Sequence, residues 1–67
     1  MSPKRLSTVI RRYRRAKGIS QRDLAAKVGV KGAYIAQLET GARKNPSLDV
    51  LKRLARALGV PVGELLE

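Results

Sequence analysis

Apolar residues recur along this chain with the period of a helix and nowhere with the alternation of a strand. From Leu6 they run Leu6, Val9, Ile10 and Tyr13, an i, i+3, i+4, i+7 stripe that predicts an amphipathic helix to about Lys17. Lys17 and Gly18 close it, a cation in the last turn and then a residue free to turn left-handed. Pro3 and its neighbours are short and polar and read as a lead-in over 1–4. Leu24, Ala25 and Val28 form the next helical face, over roughly 20–28, with Gly29 as its stop. Ser20 is the candidate N-cap of that helix. Asp23, three residues on, is a weak capping-box partner, because Glu or Gln reaches back better. Tyr34, Ile35 and Leu38 give a third helix over about 31–40, with Val30 as a buried pin before it and Gly41 after it.

Residues 41–47, GARKNPS, are the longest break, punctuated by Gly, Asn and Pro. Ser47 then caps a fourth helix whose apolar face is Leu48, Leu51, Leu54, Ala55 and Leu58, and Gly59 stops it. A fifth, short helix begins near Pro61, a residue suited to a first turn where its missing N–H is no loss. Val62, Leu65 and Leu66 are its apolar residues. The pattern predicts an all-α fold of five helices, one domain over 1–67. The two short helices between Ile19 and Gly41, joined by a turn holding Gly29, form a helix-turn-helix, the unit that places its second helix in the DNA major groove.

Composition sharpens this. In 67 residues there are 15 Lys and Arg against five Asp and Glu, a formal charge of +10. Such a field attracts polyanions, nucleic acid first among them. Charge alone also allows RNA or a membrane surface. Two Tyr as the only aromatics argue against stacking on single-stranded RNA. The apolar stripe of the basic first helix is needed by the core and is not free for lipid. No apolar run nears the roughly 20 residues that span a bilayer, and the basic N-terminus lacks the apolar stretch of a secretory signal. The expected location is the cytoplasm, at the nucleoid. Absence of Cys and His removes disulfides, thiol nucleophiles and the usual zinc ligands. There is no glycine-rich phosphate loop either, and the five carboxylates form no obvious inward cluster. A non-enzymatic chain with no cofactor, metal or small-molecule ligand is the expectation.

The order IRRYRRAKGISQRDLA, then VGV, then IAQLETG, then NPSLDVLKRLARALGV and a closing ELL resembles the phage lambda repressor/Cro type of helix-turn-helix protein, the XRE family. The resemblance runs from about Leu6 to Leu66. It implies the compact five-helix DNA-binding domain of that family, with helices 2 and 3 as the helix-turn-helix. It implies that Gln21 binds a phosphate and braces the reading residues, and that Arg14 and Glu39 form a buried ion pair. Read as residues alone the pairing is plausible, since Arg14 flanks Tyr13 on the inward face and Glu39 follows Leu38; the competing reading makes Arg14 and Glu39 ordinary surface charges.

By the family pattern the outward positions of the third helix are Lys31, Gly32, Ala33, Tyr34 and Gln37. Here the chain departs from the pattern. Lys31 cannot accept the capping hydrogen bond that a small hydroxyl would, and Gly32 and Ala33 stand where polar side chains usually reach base edges. In one reading Ala33 packs on a thymine methyl, Lys31 binds a guanine edge or phosphate, and Gln37 binds adenine in bidentate fashion with Tyr34 beside it. In the other the helix reads bases poorly and binding rests on phosphates. Thr40, Arg43, Lys44 and Asn45 are the implied phosphate contacts, with Arg22 and Lys27 of the second helix as further candidates. Arg11, Arg12 and Arg15 read as a solvated face, and Lys4 and Arg5 as a candidate arm. The implied function is a sequence-specific regulator of transcription on double-stranded DNA. The implied assembly is a homodimer on an inverted repeat, with Val62, Leu65 and Leu66 as its patch and Leu58 as a further candidate. Closure of the monomer's own core competes for Leu58 and Leu65. A protein-interaction module of the same fold, an antitoxin or coactivator-like adaptor, is the alternative.

Overall fold

The computed structural model describes residues 3–66, with side chains from Leu6 onward. Five helices follow one another through short connections: α1 (Pro3–Lys17), α2 (Gln21–Val28), α3 (Gly32–Thr40), α4 (Leu48–Leu58) and α5 (Gly63–Leu66). The described residues contain no strand, and none of their helices is long and apolar enough to cross a membrane. The start of α1 at Pro3 places Pro3 and Lys4 of the expected lead-in in the helix, and the rest of that lead-in lies outside the described residues. Proline costs nothing in a first turn, where its N–H would be unpaired and its fixed φ already suits the helix. The backbone of Lys4 and Arg5 belongs to α1, and their side chains, expected as an arm, lie outside the described residues.

Each helix contributes its apolar stripe to one core. Leu6 and Ile10 come from α1, Leu24, Ala25 and Val28 from α2, and Ile35 and Leu38 from α3. Leu51, Leu54, Ala55 and Leu58 come from α4, and Leu65 from α5. α2 packs on both α3 and α4, while α1 lies across α3, α4 and α5. The Tyr13 hydroxyl donates to Glu64 Oε2 at 3.3 Å, a second tie between α1 and α5. A four-residue helix has no stability of its own, so α5 exists because Leu65 is sunk in that core.

Several expectations change here. Leu65 is 1% exposed and Leu58 is buried, so both close the monomer's core and neither is free for a dimer patch; Leu66, 42% exposed, and half-buried Val62 remain at the surface. Leu48 was expected on the apolar face of α4 and is instead 55% exposed. Helical side chains lean toward the N-terminus, so a residue at the first position of α4 points past the end of the helix and off the core. Val30 is half-buried, not fully so, though it packs against the core. The box at the start of α2 is complete: the Asp23 N–H donates to Ser20 Oγ at 3.0 Å, and the Ser20 N–H donates to Asp23 Oδ2 at 3.4 Å. The length of the second bond reflects the shorter reach of Asp.

The turn between α2 and α3 fixes their mutual placement. Gly29 has φ 85°, and its N–H and that of Val30 both donate to the Ala25 carbonyl, at 2.8 and 3.0 Å. A β-carbon at Gly29 would meet only ordinary contacts, so the cost of Gly29→Ala is the left-handed backbone itself, about 1–2 kcal/mol. Gly32, by contrast, opens α3 without a positive φ and faces open space. Gly32→Ala is expected to stabilise the chain by about 0.4–1 kcal/mol, and urea denaturation of the two variants should shift the midpoint in opposite directions.

Candidate nucleic-acid interface

Glu39 lies on the inward face of α3, beside Leu38, and is 4% exposed. Arg14 reaches it from α1: Nε donates to Oε2, and Nη2 donates to Oε1 at 3.0 Å. A third Arg14 nitrogen, Nη1, donates to the Ile19 carbonyl at 3.0 Å, in the link between α1 and α2. Gln21 Nε2, at the start of α2, donates to Glu39 Oε1 at 3.2 Å. One buried carboxylate thus holds three helices in register. Burial is the largest influence on Glu39 and pushes its pKa up. The hydrogen bonds from Arg14 and Gln21, with the charges of Arg14 and Arg11, together outweigh it, and the net shift is down. The bond to Glu39 in turn raises the Arg14 pKa, by more than burial lowers it.

The opposite face of α3 is open. Lys31, Ala33 and Gln37 are exposed and Tyr34 is half-buried against the core. Ala33 and Gln37 are one helical turn apart and Tyr34 lies beside them, so three of the expected reading residues share a stripe. Lys31 is the N-cap and makes no side-chain capping bond. The loop after α3 folds back on it. The Thr40 hydroxyl donates to the Gln37 carbonyl at 3.2 Å and accepts from the Ala42 N–H at 3.3 Å. The Arg43 N–H donates to that same carbonyl at 3.1 Å.

These bonds involve residues expected to contact phosphates. The single Thr40 hydroxyl hydrogen is already donated, and the backbone N–H groups of Ala42 and Arg43 are also in use. Lys44, Asn45 and Arg22 are exposed. Sequence reasoning missed what the Arg43 side chain does: Nε donates to Gln37 Oε1 at 3.1 Å, and the guanidinium carbon stands 4.7 Å from the Tyr34 ring centroid. Nothing in the local pattern signals a contact across the end of a helix and a loop. A separate groove is lined by Lys17, Lys27, Lys52, Arg53 and Arg56, with Asp49 the acidic residue on its wall. It shares no residue with the α3 face. Among the described residues no group of His, Cys, Asp or Glu is placed to hold a metal ion.

Removing one partner of a buried ion pair strands the other, at a cost of about 3–5 kcal/mol. Arg14→Met and Glu39→Gln are both expected to fall in that range by chemical denaturation at neutral pH. The double variant Arg14→Met, Glu39→Gln should cost less than the sum of the singles. Because folding lowers the Glu39 pKa, its contribution is complete above the ordinary carboxylate range and is lost as pH falls through the folded value. Stability of Glu39→Gln should accordingly fall less steeply in acid than that of the parent chain.

Comparison with known proteins agrees with this architecture. The helix-turn-helix family model matches residues 10–65. The transcriptional regulator SlrR of Bacillus subtilis is 37% identical over 62 residues, which cover 92% of this chain and 41% of SlrR. SinR of the same organism is 38% identical over 58 residues, covering 87% of this chain and 52% of SinR. The chain therefore spans about half, or less, of the length of these relatives. Among solved structures, the restriction-modification controller protein C.AhdI of Aeromonas hydrophila superposes with a TM-score of 0.88 at 36% identity, over 94% of each chain. SinR in complex with DNA superposes with a TM-score of 0.87 at 35% identity, over 92% of this chain and 98% of that one. By fold and sequence alike, the chain belongs to the XRE/Cro-like family of helix-turn-helix proteins.

Proposed function

We propose that this chain is a sequence-specific regulator of transcription that reads double-stranded DNA in the major groove with α3. The observation that carries the reading is its superposition, over nearly the whole of both chains, on a SinR domain solved with DNA. The charge of +10 supplies the sequence-independent attraction. Gln37 is the chief base reader, with Lys31, Ala33 and Tyr34 around it. Lys44, Asn45, Arg22 and the terminal nitrogens of Arg43 take phosphates. Gln21 spends one amide hydrogen on Glu39 and keeps the other for a phosphate, while Thr40 orders the loop.

Two copies on an inverted repeat would set their α3 helices roughly 34 Å apart, in successive major grooves. Val62 and Leu66 supply an apolar patch of the self-complementary kind a twofold contact needs. Leu66→Glu leaves the core residue Leu65 in place. It is expected to abolish cooperative filling of a two-half-site duplex while a single half-site still binds, as titration by fluorescence anisotropy would show.

Selection from a random duplex pool, followed by titration at two salt concentrations, tests the central claim. A preferred sequence should emerge, and Gln37→Ala should lose about 1–3 kcal/mol of discrimination at one base pair. Lys44→Ala should weaken all sequences alike and reduce the salt slope by about 1. Absence of measurable DNA binding at low salt would overturn the proposal.

A further inference from the structure

Gln37 and Arg43 are six residues apart, one on the outward face of α3 and the other on the loop behind it. Two layers of contact join them. In the backbone, the Arg43 N–H donates to the Gln37 carbonyl at 3.1 Å, and the Thr40 hydroxyl donates to the same oxygen at 3.2 Å. In the side chains, Arg43 Nε donates to Gln37 Oε1 at 3.1 Å while the guanidinium lies over the Tyr34 ring, 4.7 Å from its centroid. Tyr34 is itself half-buried against the core, so the platform under the guanidinium is fixed.

A guanidinium has five donors and no acceptor. Only the oxygen end of the Gln37 amide can therefore face Arg43, whereas an unattached glutamine amide turns over freely. We infer that Arg43 is a positioning residue for base reading: it assigns the oxygen and nitrogen ends of the Gln37 amide before DNA arrives, with Tyr34 as the platform that holds the guanidinium. The inference rests on the DNA-reading role proposed above for Gln37. An amide with assigned ends presents one order of donor and acceptor to a base edge, and the major groove distinguishes base pairs by that order. Between two exposed side chains in water such a bond contributes little. Where DNA excludes water, turning the amide over would set its NH2 against guanidinium hydrogens with no acceptor between them. Arg43 thereby differs in kind from Lys44, whose ammonium is a point charge that carries no orientation.

Arg43→Lys separates the two roles, since it keeps the charge and loses both Nε and the flat guanidinium. The parent chain, Arg43→Lys, Gln37→Ala and the double variant would be titrated on the selected duplex and on duplexes altered at the base pair that Gln37 reads. Arg43→Lys is expected to lower discrimination at that base pair by about 3–10-fold. Its affinity for random duplex should change far less, and adding it to Gln37→Ala should change discrimination no further. If Arg43→Lys weakens every duplex equally and leaves discrimination intact, Arg43 is a phosphate contact alone and the inference fails while DNA reading stands. If Gln37→Ala alters preference at no base pair, the inference fails for want of a reader. If the parent chain shows no sequence preference at all, both the inference and the reading beneath it fall.

Discussion

A buried negative charge is the constraint from which the arrangement of α1, α2 and α3 follows. Taken alone, an ionised carboxylate in an apolar interior would cost several kcal/mol. Glu39 is tolerable only with Arg14 and Gln21 in hydrogen-bonding distance, and each of those sits on a different helix. The requirement works as a geometric condition. Any rotation of α3 about its axis, or any slide of α1 along it, leaves the carboxylate unpaired. Apolar packing between α1 and α3 tolerates such slips more readily, because methyl groups carry no direction. The network therefore sets which residues of α3 face outward, and it does so from the side away from the open face.

How much of this was legible in the sequence varied with the kind of interaction. The periodic stripes of α1, α2 and α4 located nearly the whole core, because burial of a helix face is written in the spacing of Leu, Ile and Val. Left-handed stops were legible too, since Gly29 and Gly59 follow the last apolar position of their helices. Periodicity misplaced Leu48, because a stripe says which side of a helix is apolar and not where along its length the neighbours end. It left Leu65 undecided between core and surface patch, a question that only the position of α1 resolves. The pairing of Arg14 with Glu39 entered through family resemblance. The Arg43 contacts were invisible, because they depend on how a seven-residue loop folds back on α3.

The cations illustrate why a net charge is a poor map of a binding surface. Arg53 donates to the Val28 carbonyl at 3.5 Å, at the end of α2, and pairs with Asp49 at 2.9 Å. The ammonium of Lys17 lies near Gly59, the cap of α4. Both positions meet the negative ends of helices, so part of the charge of +10 answers to the fold and is explained without any ligand. What distinguishes Arg43, beside α3, is the company of an amide and an aromatic ring, groups with direction and shape.

The absence of a side-chain cap at Lys31 has a dynamic consequence. α2 begins with a reciprocal serine–aspartate box and α4 with the Ser47 hydroxyl on the Val50 N–H, whereas α3 begins with a lysine and a glycine and is held there by backbone alone, the Tyr34 N–H donating to the Lys31 carbonyl at 3.0 Å. The far end of α3 is the reverse, clasped by Thr40 and Arg43. The two ends of the helix are therefore held differently, the opening turn by backbone alone and the closing turn by side chains as well, so the opening turn is the cheaper of the two to open. In a nine-residue segment, a partner that contacts the opening end supplies the bonds its cap lacks and bears the entropy cost of holding it closed.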